Sequence, residues 1–177
     1  MMLKLIKFKE VKSTNEEAIK LIKSKNKKDG IVISNYQTKG KGTMGKKWVS
    51  IKGNFFASIF FELKKNMPKP KEFSLINPLI IKNAIKDYTR FEVKIKWPND
   101  LLIRSRKVCG ILQEFIKIEK KDFLIIGIGI NTFKSPKNNK FKSTSLLECS
   151  HKSINNSQIL NNIKKNYELS NWRYWKY

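Results

Sequence analysis

Three apolar segments follow one another in the second half of the chain with only a few residues between them. They span residues 101–103, 108–118 and 123–130, and the residues that separate them are mostly charged. Short apolar segments bounded in this way are typical of β-strands, and connections of three or four residues have room only for turns. Strands joined by such turns run antiparallel. The pattern therefore predicts an antiparallel meander.

The rest of the chain mixes strand-like and helix-like patterns. Four further apolar or alternating stretches predict strands at residues 2–10, 31–36, 54–63 and 91–97. Apolar residues at helical spacing predict helices after residue 13, over residues 73–88 and over residues 153–169. We therefore predict an α/β fold of the α+β type, in which helices pack on one face of a mixed, largely antiparallel sheet.

Two boundary signals carry local predictions. Ser13 and Glu16 have the spacing of a capping box, in which the carboxylate accepts a backbone N–H at the start of a helix. Asp29 and Gly30 form a dipeptide that is typical of a turn.

Lysine dominates the charge of the chain. Lys and Arg together number 38 against 14 Asp and Glu, which gives a formal net charge of +24. Only four of these residues are Arg, although proteins that read nucleic acids usually use Arg for two-pronged contacts. The charge has three open explanations: a nucleic-acid surface, steering toward an acidic protein partner, and the codon bias of an AT-rich genome.

Length and composition bound the organisation of the protein. A chain of 177 residues is most simply one domain, residues 1–177. It contains no apolar run of about 18 residues and no signal-peptide pattern, so we expect a cytoplasmic protein without a membrane segment. Cys109 and Cys149 lack the spacing of a metal site, and we expect both to be free thiols.

Residues 40–48, Gly-Lys-Gly-Thr-Met-Gly-Lys-Lys-Trp, combine three glycines with three lysines and a tryptophan. Glycines let the backbone approach a ligand closely, and lysines with successive backbone N–H groups attract an anion. The stretch predicts either an anion-binding loop or a flexible basic loop on the surface.

Polar residues also cluster where predicted strands end, which is where ligands bind in open sheets. The clusters are Gln37, residues 96–100, Lys107 with Gly110, and residues 127–131. One Asp, one Lys, a glycine loop and an Asn suit a nucleotide with its metal ion. His151 is the only histidine and lies in a polar segment, and neither a Gly-x-Ser-x-Gly motif nor a zinc spacing nor a complete Walker motif is present.

Five of these pieces, in this order, resemble the motifs of biotin protein ligases. Residues 40–48 resemble their Gly-Arg-Gly-Arg-x-Gly-Arg-x-Trp loop, and residues 96–100 match their Lys-Trp-Pro-Asn-Asp motif. Residues 107–112 fit Lys-x-x-Gly-Ile-Leu, and residues 127–131 fit Gly-x-Gly-x-Asn. Ser13-Thr14-Asn15 and Gln37 have the matching order and spacing, so the resemblance covers about residues 1–135.

The resemblance implies a fold like that of class II aminoacyl-tRNA synthetases and biotin ligases, and it implies a two-step acyl transfer. Biotin and Mg-ATP would form biotinyl-5′-adenylate, which a lysine of a biotin carboxyl carrier domain of an acyl-CoA carboxylase would then attack. Lys107 would be the catalytic lysine. A homodimer is a further expectation, since relatives often pair through a sheet edge.

The resemblance also assigns ligand contacts. The biotin-binding residues would be Ser13, Thr14, Asn15, Gln37, Gly40, Lys41, Gly42, Thr43, Lys107, Gly110 and Gly127. The residues that bind ATP and the adenylate would be Lys41, Trp48, Asn99, Asp100, Lys107 and Asn131, with Asp100 also serving Mg²⁺. Gly110 and Gly127 would leave room for the ligand, and Trp48 would pack on the adenine.

The chain departs from the family pattern in three respects. Lys41, Thr43 and Lys46 stand where the family has Arg, and Thr43 carries no charge at all, which predicts weaker retention of the adenylate. The pattern begins near residue 1, so we expect no N-terminal winged helix and no DNA-binding domain. We also expect the small C-terminal β-barrel of the family to be absent or truncated, with the aromatic residues at 172–177 packing in its place.

Two other functions are compatible with the sequence. One is a lipoate or octanoate transferase, because these enzymes share the fold. The other is a basic nucleic-acid-binding module without ligase activity, which would bind DNA or RNA with a strong dependence on salt.

Overall fold

The computed structural model of the protein describes residues 2–25, 27–137 and 142–170. Its strands are β1 (Leu5–Phe8), β2 (Asp29–Ser34), β3 (Phe55–Glu62), β4 (Val93–Lys96), β5 (Asp100–Ile103), β6 (Arg106–Ile118) and β7 (Lys121–Ile130). Its helices are α1 (Thr14–Lys25), α2 (Pro70–Ile85), α3 (Leu146–Cys149) and α4 (Asn156–Leu169). The aromatic residues at 172–177, for which packing was expected, lie outside the described residues.

Within the described residues the strands form one seven-stranded sheet in the order β1-β2-β3-β7-β6-β5-β4. Only β1 and β2 pair in parallel, and all the other neighbours are antiparallel. The predicted meander is present as β5, β6 and β7, and β7 also pairs along its length with β3. The predicted class, a mixed and largely antiparallel sheet with packed helices, is confirmed.

The placement of the helices on a single face was wrong. The main core lies on the face covered by α2 and α4, where Ile59 of β3 and Ile126 of β7 point. Helix α1 packs on the opposite face, with Ala18 against Val32 and Phe60. Strand β3 is apolar on both sides because it is buried between helices, as continuous apolar strands generally are.

The capping box and the turn at Asp29 were also wrong. The Glu16 carboxylate contacts the Lys41 ammonium at 2.8 Å instead of a backbone N–H. Asp29 and Gly30 belong to β2, where Gly30 pairs with Phe60. A Cβ on Gly30 would lie 2.9 Å from the Phe60 ring, so the glycine serves ring packing within the sheet.

Helix α1 begins directly after residue 13, as predicted, whereas α2 and α4 begin at other residues than the pattern predicted. Helix α2 begins at Pro70 instead of at residue 73, and Pro78 lies inside it. Helix α4 begins at Asn156, because the Asn155 side chain accepts the N–H groups of Ser157 and Gln158. The short helix α3 was not predicted.

Both cysteines are free and buried, as expected. Burial raises the pKa of the Cys109 thiol far above its ordinary range. Among the described helices, none combines the length and the apolar character that crossing a membrane requires.

Candidate active site

A cavity of about 160 Å³ opens on the face of the sheet that α1 covers in part. The N-terminus of α1, the loop after β2, strands β6 and β7, and the segment after β7 surround it. The predicted site residues that line it are Ser13, Thr14, Asn15, Gln37, Lys41, Gly42, Thr43, Trp48, Asn99, Lys107, Gly110, Gly127 and Asn131. The other two lie directly behind the lining, Gly40 against Gln37 and Asp100 against Lys107.

At the α1 end of the cavity the polar side chains are buried and hydrogen-bonded to one another. The backbone N–H of Thr14 donates to Gln37 Oε1 at 2.8 Å, and Gln37 Nε2 donates to Ser50 Oγ at 3.2 Å. The sequence places Gln37 just after β2, where a bridge to Val11 holds it beside the start of α1. This end of the cavity is therefore a fixed array of small polar groups.

Two residues that the sequence analysis missed extend this array. Ser58 of β3 is fully buried and its hydroxyl lies 2.7 Å from Thr14 Oγ1, and it also contacts Asn15 Oδ1. The Asn15 amide nitrogen in turn donates to Glu114 Oε2 at 2.6 Å. Opposite Ser58, a Cβ on Gly127 would overlap Asn15, so Gly127 makes room for this amide.

Residues 40–48 form a small hairpin over the cavity. The N–H of Trp48 donates to the carbonyl oxygen of Gly40 at 2.9 Å. The N–H of Gly42 donates to the carbonyl oxygen of Lys46 at 2.7 Å. At the tip, Met44 and Gly45 both have positive φ, of 54° and 72°. The region of positive φ is accessible to glycine without strain, which accounts for a glycine at position 45.

The hairpin places the Trp48 indole against a part of the sheet where paired glycines present no side chains. Gly110 of β6 and Gly129 of β7 pair directly and share this face. A Cβ on Gly129 would lie 2.5 Å from the indole, and one on Gly110 would lie 2.7 Å from it. Trp48 Nε1 is buried and has no hydrogen-bond partner within the described part of the chain. The glycines therefore form a platform that the protein's own aromatic ring covers.

Beside this platform lies an ion pair. The Lys107 ammonium is 2.6 Å from Asp100 Oδ1, and both side chains are largely buried. The same ammonium lies 5.6 Å from the centre of the Trp48 ring, within cation–π range. Asp100 pairs with Gly110 across β5 and β6, so the sheet register brings the acid, the lysine and the platform together.

Two asparagines complete this end of the cavity. Asn131 is buried, and its amide nitrogen donates to the carbonyl oxygen of Thr144 at 3.2 Å. Its Oδ1 is buried and has no partner among residues 2–25, 27–137 and 142–170. Asn99 lies near Thr43 of the hairpin, at 3.5 Å between Nδ2 and Oγ1. The site thus holds a buried acceptor that no described residue satisfies.

A second ion pair ties the hairpin to α1. Lys41 contacts Glu16 at 2.8 Å, and this contact raises the pKa of Lys41 and lowers that of Glu16. The nearby Glu114 carboxylate adds to the rise in the Lys41 pKa. Lys41 therefore stays protonated at neutral pH and offers a positive charge at the rim of the cavity.

The acidic residues suit Mg²⁺ only in company with a ligand. The described residues contain no group of three or more His, Cys, Asp or Glu side chains that could coordinate a metal ion. Asp100 offers one carboxylate, and its Oδ1 already contacts Lys107. Mg²⁺ commonly binds through one or two carboxylates together with substrate phosphates and water. The donor set therefore fits Mg²⁺ that arrives with a triphosphate.

Comparison with known proteins identifies the family of this chain. Residues 7–131 match the model of the biotin/lipoate A/B protein ligase family. The chain belongs to this family. The resemblance seen in the motifs is thereby confirmed.

Similar proteins within the biotin/lipoate ligase family include biotin ligases. The bifunctional ligase/repressor BirA of Bacillus spizizenii is 30% identical over 159 residues, which are 86% of this chain and 49% of that protein. The chain therefore spans about half the length of this curated relative. Solved structures that match a larger share of both chains have the same fold.

One such structure is the biotin protein ligase of Leishmania major in complex with biotinyl-5-AMP, with a TM-score of 0.79 and 25% identity. It is matched over 90% of this chain and 71% of that chain. Another is the biotin protein ligase of Aquifex aeolicus in complex with biotin and ATP, with a TM-score of 0.77 and 32% identity over 93% of this chain and 68% of that chain.

The residues missed in this biotin/lipoate ligase domain are those whose neighbours are distant in sequence. Ser58 lies in a strand rich in aromatic residues, where a serine is expected to be a small core residue. Glu114 lies in a strand of mixed polar and apolar residues, where a glutamate is expected on the surface. Gly129 could have been found, because it follows Gly127 at the two-residue spacing that shares a strand face. That the predicted residues bind ligand stays a prediction.

Proposed function

We propose that this chain catalyses the ATP-dependent attachment of biotin to a lysine of a biotin carboxyl carrier domain through biotinyl-5′-adenylate. The observation that carries the proposal is the composition of the cavity beside α1. The buried polar array at the α1 end suits an uncharged polar ring. The lysine–aspartate pair suits a reacting carboxylate, and the Trp48 indole beside that pair suits a nucleotide base.

The relatives supply the chemical identity of these ligands. The Leishmania major enzyme binds biotinyl-5-AMP and the Aquifex aeolicus enzyme binds biotin and ATP. By analogy, Ser13, Thr14, Asn15 and Gln37 would hold the ureido ring of biotin. Gly40, Lys41, Gly42 and Thr43, in the hairpin, would close over the carboxylate and the adenylate.

In the first step, an oxygen of the biotin carboxylate attacks the α-phosphorus of ATP. The bond from that phosphorus to the bridging oxygen breaks, and pyrophosphate leaves with the electron pair. Both reactants are anions, so a preorganised cation lowers the barrier. Lys107 is the residue for this role, because its ammonium is largely buried and Asp100 holds it in place.

In the second step, the neutral amine of the acceptor lysine attacks the carboxyl carbon of the adenylate. An amide bond forms, the bond to the AMP oxygen breaks, and the amine loses a proton. Lys107 would then balance the charge that develops on the leaving AMP.

Asp100 would help to hold Mg²⁺ on the phosphates, and the ion would screen their charge. The nucleotide base would meet Trp48 together with Asn99 and Asn131. The buried and unpartnered Oδ1 of Asn131 and Nε1 of Trp48 supply one acceptor and one donor for this purpose within the described residues. Burying such groups is costly unless a ligand satisfies them.

The decisive experiment incubates the 177-residue chain with biotin, Mg-ATP and a carrier domain, and then weighs the carrier by mass spectrometry. We expect a gain of one biotinyl group that depends on ATP. A carrier that a known ligase can modify but that gains no mass here would refute the proposal. Lipoate in place of biotin tests the transferase alternative within the same family.

The acceptor and the oligomeric state are parts of the same proposal. A carrier domain in which the acceptor lysine is replaced by arginine should gain no mass. Light scattering with and without biotin and ATP would detect the homodimer that the family resemblance suggests.

A further inference from the structure

We propose that Ser58 and Glu114 are positioning residues that set the hydrogen-bond polarity of the polar end of the cavity, so that it accepts N–H groups from its ligand. The inference rests on the proposed function, since it specifies how the site would read the ureido ring of biotin. In the contacts described above, neither residue forms a hydrogen bond to the hairpin or to the lysine–aspartate pair, and Glu114 acts on Lys41 of the hairpin only through its charge.

Glu114 fixes the orientation of the Asn15 amide. A carboxylate accepts hydrogen bonds and cannot donate them. Its Oε2 lies 2.6 Å from the Asn15 amide group, so the NH₂ side of that amide must face Glu114. The carbonyl oxygen of Leu112, at 3.4 Å, faces the same NH₂ group. The Asn15 oxygen is therefore forced to point the other way, toward Ser58.

Ser58 is thereby oriented as well. An amide oxygen only accepts, so the single hydroxyl proton of Ser58 goes to Asn15 Oδ1. The Ser58 oxygen can then take part in its 2.7 Å contact with Thr14 only as an acceptor. Thr14 must supply the proton of that contact.

A proton count shows what this does to Thr14. Three oxygen–oxygen contacts run from Gln37 Oε1 through Thr14 and Ser58 to Asn15, and only two hydroxyl protons serve them. If both protons point toward Asn15, the two shorter contacts are hydrogen bonds. The longest contact, 3.1 Å between Thr14 Oγ1 and Gln37 Oε1, is then left without a proton.

The consequence is a pair of adjacent acceptors at the cavity. Gln37 Oε1 is held in place by the Thr14 backbone N–H at 2.8 Å, which excludes the flipped amide. Thr14 and Gln37 both line the cavity, and a ligand N–H that lay between Thr14 Oγ1 and Gln37 Oε1 would relieve their repulsion. A ligand ring with an oxygen atom or a CH₂ group at this place would leave the repulsion between the two acceptors in place.

The burial of the network strengthens the preference. Ser58 is 0% exposed, and Thr14 and Asn15 are 4% and 2% exposed, so water does not readily rearrange these bonds. Sites built to satisfy a specific polar group discriminate strongly against analogues that lack it. Ser58 and Glu114 act at a distance, through Thr14 and Asn15.

The test measures the dissociation constants of two ligands by calorimetry. One is biotin, and the other is its cyclic carbonate analogue, in which oxygen replaces both ureido N–H groups. We expect the wild-type chain to prefer biotin by about 100-fold or more. In Ser58→Ala, Thr14 can turn its proton to Gln37 or to the ligand, and the preference should fall by about tenfold.

Glu114→Gln is the second variant, because its partly exposed side chain makes misfolding less of a concern than at Ser58. An amide at position 114 lets Asn15 take either orientation, so the preference should fall in the same direction. Ser34→Ala is the matched control: Ser34 is also a buried strand serine, but it contacts the carbonyl oxygen of Tyr36 and is not in the network. The preference of the Ser34→Ala variant for biotin over the carbonate analogue should equal that of the wild type.

Four results would overturn the inference. Equal weakening of both ligands in Ser58→Ala and Glu114→Gln would mean a packing role only. No change in either variant would exclude any role. Wild-type binding of biotin without preference over the carbonate would remove the acceptor pair, whereas failure of the wild type to bind biotin at all would refute the proposed function and this inference with it.

Discussion

The contact between Trp48 and the glycine platform allows a quantitative prediction. In Gly129→Ala, the new Cβ would lie 2.5, 2.7 and 2.8 Å from Cε2, Cζ2 and Nε1 of the Trp48 indole. Non-bonded carbon atoms pack best at about 3.5–4.0 Å. The indole must therefore move away from the sheet by about 1 Å, or β7 must shift by a similar amount.

The cost follows from which of the two moves more easily. Overpacking in a close-packed region typically destabilises by about 1–3 kcal/mol. Strand β7 is paired on both sides with β3 and β6, whereas Trp48 is partly exposed and lies in a hairpin outside the sheet. The hairpin should move, and we expect a loss near the lower limit, about 1 kcal/mol of unfolding free energy.

A double-mutant cycle isolates this contact from the general effect of alanine in a strand. Urea unfolding, followed by circular dichroism, would be measured for the wild type, Gly129→Ala, Trp48→Ala and the double variant. We expect Gly129→Ala to cost about 1 kcal/mol in the wild type and close to nothing when Trp48 is absent. Equal costs in the two backgrounds would refute the claim that the glycine exists to accommodate the indole.

Three further predictions concern charge. Lys107→Met should reduce pyrophosphate release with biotin and ATP by about 100-fold or more, since one preorganised cation is lost, with thermal stability measured as the control. Glu16→Gln removes the carboxylate whose pKa Lys41 lowers. The stabilisation from this ion pair is present above the ordinary carboxylate pKa and is lost as the pH falls through the lowered value. With Lys41 45% exposed, we expect a loss of about 0.5 kcal/mol or less at pH 7 that shrinks once the pH falls below the ordinary carboxylate pKa, measured by urea unfolding. Thr43→Arg adds a cation at the tip of the hairpin and should slow release of biotinyl-adenylate in a filter-binding assay. Equal release from both proteins would show that Thr43 does not limit retention.

Periodicity predicted the strands well because each strand has a local signature. In β7 the residues that face the main core, Leu124, Ile126, Ile128 and Ile130, recur at every second position, so the strand can be recognised without its partners. The boundaries were less certain, since they depend on contacts outside the segment. Gly30 illustrates this: the Asp-Gly pair has the form of a turn, and only the opposing ring of Phe60 explains why it lies within β2.

The order of the strands could not be read from the chain. Strand β3 pairs with β7, about seventy positions later, as in the register Ser58 to Gly127. No local pattern encodes that pairing. It nevertheless places Ser58 beside Asn15, so a residue that looks like ordinary core packing becomes part of the polar array.

The glycines of the motifs have a meaning that differs from the one expected of them. Gly110 and Gly127 were expected to leave room for a ligand, but their missing side chains leave room for Trp48 and Asn15. A ligand in the cavity would therefore meet those two side chains instead of the bare sheet. Under the proposed function the glycines would act on recognition indirectly: they let an aromatic ring and an amide lie close to the strands, and that ring and that amide would contact the ligand.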